Sequence, residues 1–335
     1  MTDPIVSICI PTYNGAEFLK EAVDSAIAQS YKNIEILISD DGSEDETIPI
    51  IKQYAEKYNS IRLVANPVKG MVNNWNNCLR EAKGEWIKFL FQDDILQPDC
   101  VEMMYNRCVH YNATVAVCRR DFIIHENVSP GLRKYFSGSI KKPEHIFSKE
   151  KFISADELAE TVSKHLLKNV LGEPTCYFFK RNIADQPPEF LVKLRQVVDY
   201  EFIIRIGLIN GLVFLPQTLA LFRVHKNSVS NAVNRVSEEN KLKNLRAVFG
   251  DFILLLQEFL NSPALVAVKD KAGTLLLEQY IKHLYYSGCK HHGVGTYRKA
   301  LHEIFIAYPE IAGLKYNFFK YVFYRYRIRK VYGHQ

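Results

Sequence analysis

The chain has 335 residues, 47% of them hydrophobic, enough for a core of ordinary depth and too apolar for a disordered segment. Lys plus Arg number 43 and Asp plus Glu 37, an excess matched by Lys315, Lys320, Arg325, Arg327, Arg329 and Lys330 near the C-terminus. No acid accompanies those six, so the rest of the chain is close to balanced and no nucleic-acid-binding body is indicated.

The opening MTDPIVSICIP has an acid and a proline where a signal peptide needs a basic and a longer apolar segment. No stretch reaches the ~18 uninterrupted apolar residues of a membrane span, and a cytoplasmic protein is expected. IVSICI (5–10) predicts a first strand, and after PTYNG a helical stripe runs through Phe18, Leu19, Ala22, Val23, Ala26 and Ile27. IEILIS (34–39) is a second strand running into DDGS, followed by a helical pattern over 48–58 and a third strand, IRLVA (61–65). A helix over about 71–82 precedes a fourth strand, EWIKFLF (85–91), which runs into Gln92, Asp93 and Asp94, and a further helix follows Pro98. Strands this apolar, separated by helices, imply an α/β fold with a mostly parallel sheet covered on both faces. Ligands of such sheets sit at the carboxyl ends of the strands, and PTYN, DDGS and QDD all fall there.

Residues 119–169 read as an insertion bearing loops and then a helical pattern. GEPTCYFFKR (172–181) gives a turn and a strand. DYEFIIRIGL (199–208) opens a helix with Asp199 near its cap and Ile203, Ile204 and Leu208 on an apolar face. From about 235 the pattern is helical in roughly four segments. The seven scattered cysteines, without a CxxC pair, read as reduced buried thiols, not as a disulfide frame or a zinc site.

An Asp-Asp pair after a strand is commonly a solvated turn that caps a helix, a part Asp40, Asp41 and Ser43 could fill. Two such pairs on one rim are a different matter. Like charges that close repel, and a divalent cation is the usual remedy. Carboxylate oxygens suit Mg²⁺ or Mn²⁺, with Mg²⁺ commonly shared between one or two carboxylates and a substrate's phosphates. QDD therefore reads as a metal–diphosphate clamp, and PTYN with DDGS as a place for a nucleoside.

At this point the sequence resembles a family 2 glycosyltransferase of the GT-A fold. IVSICIPTYNGAEFLKEAVDSAIAQSYKNIEILISDDGSEDET carries the resemblance first, then NPVKGMVNNWNNCLREAKGEWIKFLFQDD and VVDYEFIIRIGLINGLVFLPQTLALFRVHKNSVS, covering roughly 4–230. The resemblance implies a GT-A domain over 1–230 with the 119–169 insertion on its acceptor side, and a helical C-terminal region over 231–335. It implies that Pro11, Thr12 and Tyr13 line the nucleotide base, with Tyr13 stacking on it. Asp41 reads the base's polar edge, which favours a UDP- or TDP-sugar, and Asp40 shapes that turn. Gly70 and Asn76 pass under the diphosphate. Asp93 and Asp94 bind ribose and metal, Mn²⁺ or Mg²⁺. Phe91 stands where the family's DxDD motif has its first Asp, and Trp75 where many relatives have Arg. Asp199 matches the general base of inverting members, with Val198 in place of the usual preceding Glu. Arg223 and His225 match an R-x-H segment that meets the diphosphate or the metal, and Glu173 is a candidate on the acceptor side.

The bland alternatives are a helix cap for Asp199, a structural pair for Glu201 and Arg205, and a structural His225. The tail from Lys315, aromatic and basic by turns, reads either as a packing helix or as peripheral contact with an anionic membrane at its inner face. The implied acceptor is a glycan or lipid-linked hydroxyl in cell-surface polysaccharide or glycolipid synthesis. A nucleotidyltransferase would want a Gly-rich basic loop after the first strand, which PTYNGAEF lacks. A catalytically degenerate nucleotide- or partner-binding protein rests on Phe91 and Val198. A glycosidase would need an opposed carboxylate pair instead of adjacent aspartates.

Overall fold

The computed structural model describes residues 3–139, 146–183, 188–225, 251, 254–273 and 276. Its centre is a nine-stranded sheet, and the four strands expected from the first ninety residues form one side of it. They are β1 (Val6–Thr12), β2 (Ile34–Asp40), β3 (Ile61–Ala65) and β4 (Trp86–Phe89). Every residue of β1 is buried, as a central strand covered on both faces requires. Helix α1 (Leu19–Ile27) buries Leu19, Ala22, Val23 and Ala26, one stripe of a 3.6-residue repeat. Helices α2 (Thr47–Lys57), α3 (Met71–Glu81) and α4 (Cys100–His110) return the chain between strands. The pairs β2–β3, β1–β2 and β1–β4 are parallel, so their carboxyl ends share one edge.

Beyond β4 the sheet is mixed, which the sequence pattern did not separate from the parallel half. The remaining strands are β5 (Ile95–Leu96), β6 (Val115–Ile124), β7 (Lys151–Ile153), β8 (Tyr177–Lys180) and β9 (Leu212–Val224). The order is β3-β2-β1-β4-β8-β6-β9-β5, with β7 pairing β9 as well. β8 lies antiparallel between β4 and β6, and β9 runs parallel to β6. Helices α5 (Pro130–Lys134), α6 (Ala155–Lys164), α7 (Val198–Asn210) and α8 (Val266–Ala272) follow, α6 with Ser154 as its N-cap accepting from Glu157 N–H.

The 119–169 region is less of an insertion than expected. Residues 119–124 complete β6, because Arg119 to Ile124 pair with Thr218 to Val224 of β9, and β7 joins the same sheet. The fourth strand stops at Phe89 instead of position 91, since Asp94 N–H turns back to Phe91 C=O at 3.1 Å.

The first compact unit runs through Leu276, past the boundary at 230 drawn from the sequence. Leu255, Leu256, Phe259, Leu265 and Val268 are buried, and the Asp251 carboxylate accepts from Arg195 N–H at 2.8 Å and from Gln196 N–H. The aromatic basic tail lies outside the described residues, as does Cys289. The other six cysteines are unpaired and buried. Among the described residues no helix is long and apolar enough to cross a membrane.

Candidate active site

The carboxyl edge of β1, β2 and β4 is built by three turns bonded to one another. Asp40 shapes the second turn: Oδ2 accepts from the N–H of Gly42 (2.9 Å) and Ser43 (2.8 Å), and Oδ1 from the hydroxyls of Ser43 and Thr12. Asn14, with φ 45°, joins the first turn to the second through Ser43 Oγ and Glu44 N–H. Gln92 clamps the first turn to the third, accepting from Tyr13 N–H at 2.9 Å and donating to Tyr13 C=O at 3.2 Å. A Cβ on Gly15 would fall 2.2 Å from Gln92 Oε1, so a side chain at position 15 would push the Gln92 amide out of this clamp. Thr12 and Pro11 are buried in the strand end, whereas Tyr13 is 54% exposed on the rim. Asp41 is set into the same edge, its carboxylate accepting from Gly70 N–H (2.9 Å) and Asn66 Nδ2 (2.7 Å). Gly70, at φ 123°, is the N-cap of α3.

Beneath the rim, α3 presents asparagines. Asn74 donates to the carbonyls of Thr12 and Ser39, and Asn77 donates to Ser39 Oγ. Asn76 does not belong to the ligand set expected for it. It is 3% exposed, and its amide is spent on a reciprocal pair with the Phe190 backbone, at 2.9 and 2.7 Å. Trp75 and Phe91, the two departures noted in the sequence, pack on each other with ring centroids 5.0 Å apart, and Trp75 also meets Phe190.

Adjacent Asp93 and Asp94 face opposite ways. The Asp93 side chain is 22% exposed and its Oδ2 lies 2.9 Å from His225 Nε2. Asp94 is 1% exposed; Oδ2 accepts from Thr175 Oγ1 at 2.5 Å and Oδ1 from Arg223 N–H at 2.9 Å. Burial first, and the charge of Asp93 second, push its carboxyl well above the ordinary range. Asp94, expected as a metal ligand beside Asp93, is instead turned away from the rim by these two bonds and by its burial. Arg223 is tied to the same turn. Its guanidinium donates to Asp93 C=O (2.7 Å) and Glu21 (2.8 Å), meets His125 Nε2 at 3.3 Å and lies 4.6 Å over the Phe18 ring, so it braces the aspartate turn from within.

Asp199 occupies the first turn of α7, not its cap: Val197 is the N-cap, without a side-chain cap bond. The Asp199 carboxylate accepts from Tyr200 N–H at 2.8 Å and Asn169 Nδ2 at 3.1 Å. It is partly exposed, and burial followed by the nearby Glu173 charge push its carboxyl up to about 7. The loop 169–176 joins this group to the aspartate pair, with Asn169 holding Asp199 and Thr175 holding Asp94. Fully buried Lys88 of β4 anchors that loop by donating to Thr175 C=O at 2.6 Å.

A model of glycosyl transferase family 2 matches residues 7–167. An uncharacterised glycosyltransferase of Rickettsia prowazekii is 30% identical over 241 residues, 71% of this chain and 70% of its own length. The chain belongs to glycosyltransferase family 2. Solved structures agree on the fold of the transferase. TarS of S. aureus, residues 1–349 in complex with UDP-GlcNAc, superposes with a TM-score of 0.57 at 16% identity over 84% of this chain and 80% of that one. A Pyrobaculum calidifontis mannosyltransferase in complex with GDP-Man and Mn²⁺ gives 0.52 at 18% identity over 92% and 82%.

Among the described residues of this glycosyltransferase no three His, Cys, Asp or Glu side chains form a metal cage. The donors on the rim nevertheless fit a cation that takes its other ligands from a diphosphate. Asp93 offers a partly exposed carboxylate oxygen and His225 an imidazole nitrogen 2.9 Å away, a mixed set that suits Mn²⁺. Asn169 and Thr175 are the residues of the transferase that sequence reasoning missed, because their contacts with Asp199 and Asp94 cross long sequence separations and leave no local signal. Gln92, read with the aspartates as part of one clamp, ties the first turn to the third instead.

Proposed function

We propose that this transferase moves a sugar from a nucleoside diphosphate sugar to a hydroxyl of a glycan or lipid-linked acceptor in one inverting displacement. The acceptor oxygen bonds to the anomeric carbon as the carbon–oxygen bond to the diphosphate breaks. The hydroxyl proton passes to the Asp199 carboxylate, and the nucleoside diphosphate departs. A positioned base of this kind is worth ~10²–10⁴-fold in rate, most when its proton affinity lies near the working pH. The observation that carries the reading is the loop 169–176, whose Asn169 holds the Asp199 carboxylate and whose Thr175 holds Asp94, so that base and aspartate pair share one support.

In this reading Pro11, Thr12 and Tyr13 receive the base, Tyr13 by stacking, and Asp41 faces its N–H edge. Asp41 already takes two internal donors, and a carboxylate has about four lone-pair sites, so it retains capacity. Asp93 and His225 would hold the divalent cation, which neutralises charge on the leaving diphosphate. A setting in cell-surface polysaccharide or glycolipid synthesis, with the basic aromatic tail against the inner face of a membrane, belongs to the same proposal.

The test is a screen of UDP-, TDP- and GDP-sugars with Mn²⁺ and a set of glycan acceptors, read by NMR of the product anomer. Turnover with a UDP- or TDP-sugar and inverted configuration is expected. Retention of configuration overturns the single displacement, and preference for a GDP-sugar overturns the assignment of Asp41.

A further inference from the structure

β4 is buried along its whole length, and a strand covered on both faces is the place for aliphatic side chains. Position 88 nevertheless holds a lysine, 0% exposed. It pairs in register with Phe178 of β8, and α4 brings Met104 Sδ to 3.7 Å from its Nζ, with Cys100 Sγ 3.9 Å from that sulfur. Arg120 of β6, also buried, has a counter-charge: its Nη2 donates to Glu173 Oε1 at 2.9 Å. Among the described residues Lys88 has no carboxylate partner, and the oxygen it bonds is the Thr175 carbonyl, at 2.6 Å. Taking a lysine out of water without a counter-charge is costly, and packing a strand does not require one. What Lys88 supplies is a donor.

That donor leads to Thr175, itself 1% exposed. The Thr175 hydroxyl donates to Asp94 Oδ2 at 2.5 Å and lies 3.4 Å from Phe91 N–H, and Asp94 Oδ1 accepts from Arg223 N–H at 2.9 Å. Arg223 Nε in turn donates to Asp93 C=O at 2.7 Å. A continuous run of bonds therefore reaches from the middle of β4 to the turn that carries both aspartates. Without its first member, the Thr175 carbonyl is a buried acceptor stripped of its donor, and the 3₁₀ turn Pro174–Cys176 loses this tie to the sheet.

We propose that Lys88 is a positioning residue of the transferase. It fixes Thr175, and through the Thr175 hydroxyl it fixes Asp94 and the turn that presents Asp93. The inference rests on the reading of the aspartate pair as part of the donor site.

The test is a double-mutant cycle on the full chain, Lys88→Met and Thr175→Val alone and together, with the donor that the nucleotide-sugar screen returns. Methionine keeps the length and apolar body of the lysine stem, and valine keeps the shape of threonine. Each single variant is expected to lower kcat about tenfold or more, with donor KM little changed because Tyr13 and Asp41 are untouched. The combined variant should lose no more than about twofold beyond Thr175→Val, since both substitutions cut one path. A lysine that only packed β4 would move the melting temperature and leave the kcat of the folded protein where it was. Natural kcat in either folded single variant, or losses that multiply in the combined one, overturns the inference. Should Lys88→Met not fold, the natural chain labelled with ¹⁵N-lysine and ¹³C′-threonine decides. An NMR coupling across the hydrogen bond from Nζ to the carbonyl is expected, and its absence overturns the inference. An Asp93→Ala variant that still binds Mn²⁺ with nucleoside diphosphate overturns the metal reading alone and leaves the cycle to judge Lys88.

Discussion

Asp93 turns outward to His225 while Asp94 turns inward to Thr175 and the Arg223 N–H, and the two should respond differently to mutation. Asp93→Ala is expected to abolish Mn²⁺ binding by calorimetry in the presence of nucleoside diphosphate, with thermal stability little changed. Asp94→Ala strands a buried hydroxyl and a backbone N–H, which should cost about 1–3 kcal/mol in urea unfolding. Equal loss of metal binding in a stable Asp94→Ala would reinstate Asp94 as a ligand. The sequence could place both aspartates on the ligand rim because strand polarity alone decides that. It could not say which faces solvent, because the donors that capture Asp94 come from 81 and 129 residues away. The inward bonding of Asn76 was hidden for the same reason: its partner, Phe190, lies far along the chain.

The loop 169–176 does at the scale of an element what these contacts do for single residues. Asn169 closes it on itself, accepting from the N–H of Leu171 and Gly172 and donating to Gly172 C=O, and its remaining donor goes to Asp199. Gly172 has φ 89°, a region that costs an L-residue about 1–2 kcal/mol. Gly172→Ala should lose about that much stability and slow turnover with donor KM unchanged; a fully active variant of unaltered stability would show that the loop's shape is incidental. Strands β1 to β4 and their helices were legible because burial on both faces leaves an unbroken apolar record. The continuation of β6 past Cys118 was not, since Arg119, Arg120 and Asp121 look like loop residues until Glu173 supplies Arg120 with its counter-charge. The antiparallel course of β8 has no local signature at all, since the same apolar tetrad fits either direction.

For the whole molecule, pH joins stability to function through Asp199. Its proton affinity in the fold exceeds that of an ordinary aspartate, so its contribution to stability is present below about pH 4 and is lost as pH rises through about 7. Asp199→Asn should therefore raise the melting temperature, with a larger gain at pH 8 than at pH 5; a gain independent of pH would show that Asp199 is ionised without cost. Activity should follow the opposite course, kcat/KM climbing as pH rises through about 7 because the base must be unprotonated. The most direct measurement of the central claim is the single-turnover rate of Asp199→Asn at pH 8, with the donor that the nucleotide-sugar screen returns and donor affinity measured alongside. A rate down by ~10²-fold or more at unchanged donor affinity is the result expected of a general base. A rate within a few-fold of the natural chain, from a folded variant that binds donor normally, would contradict it.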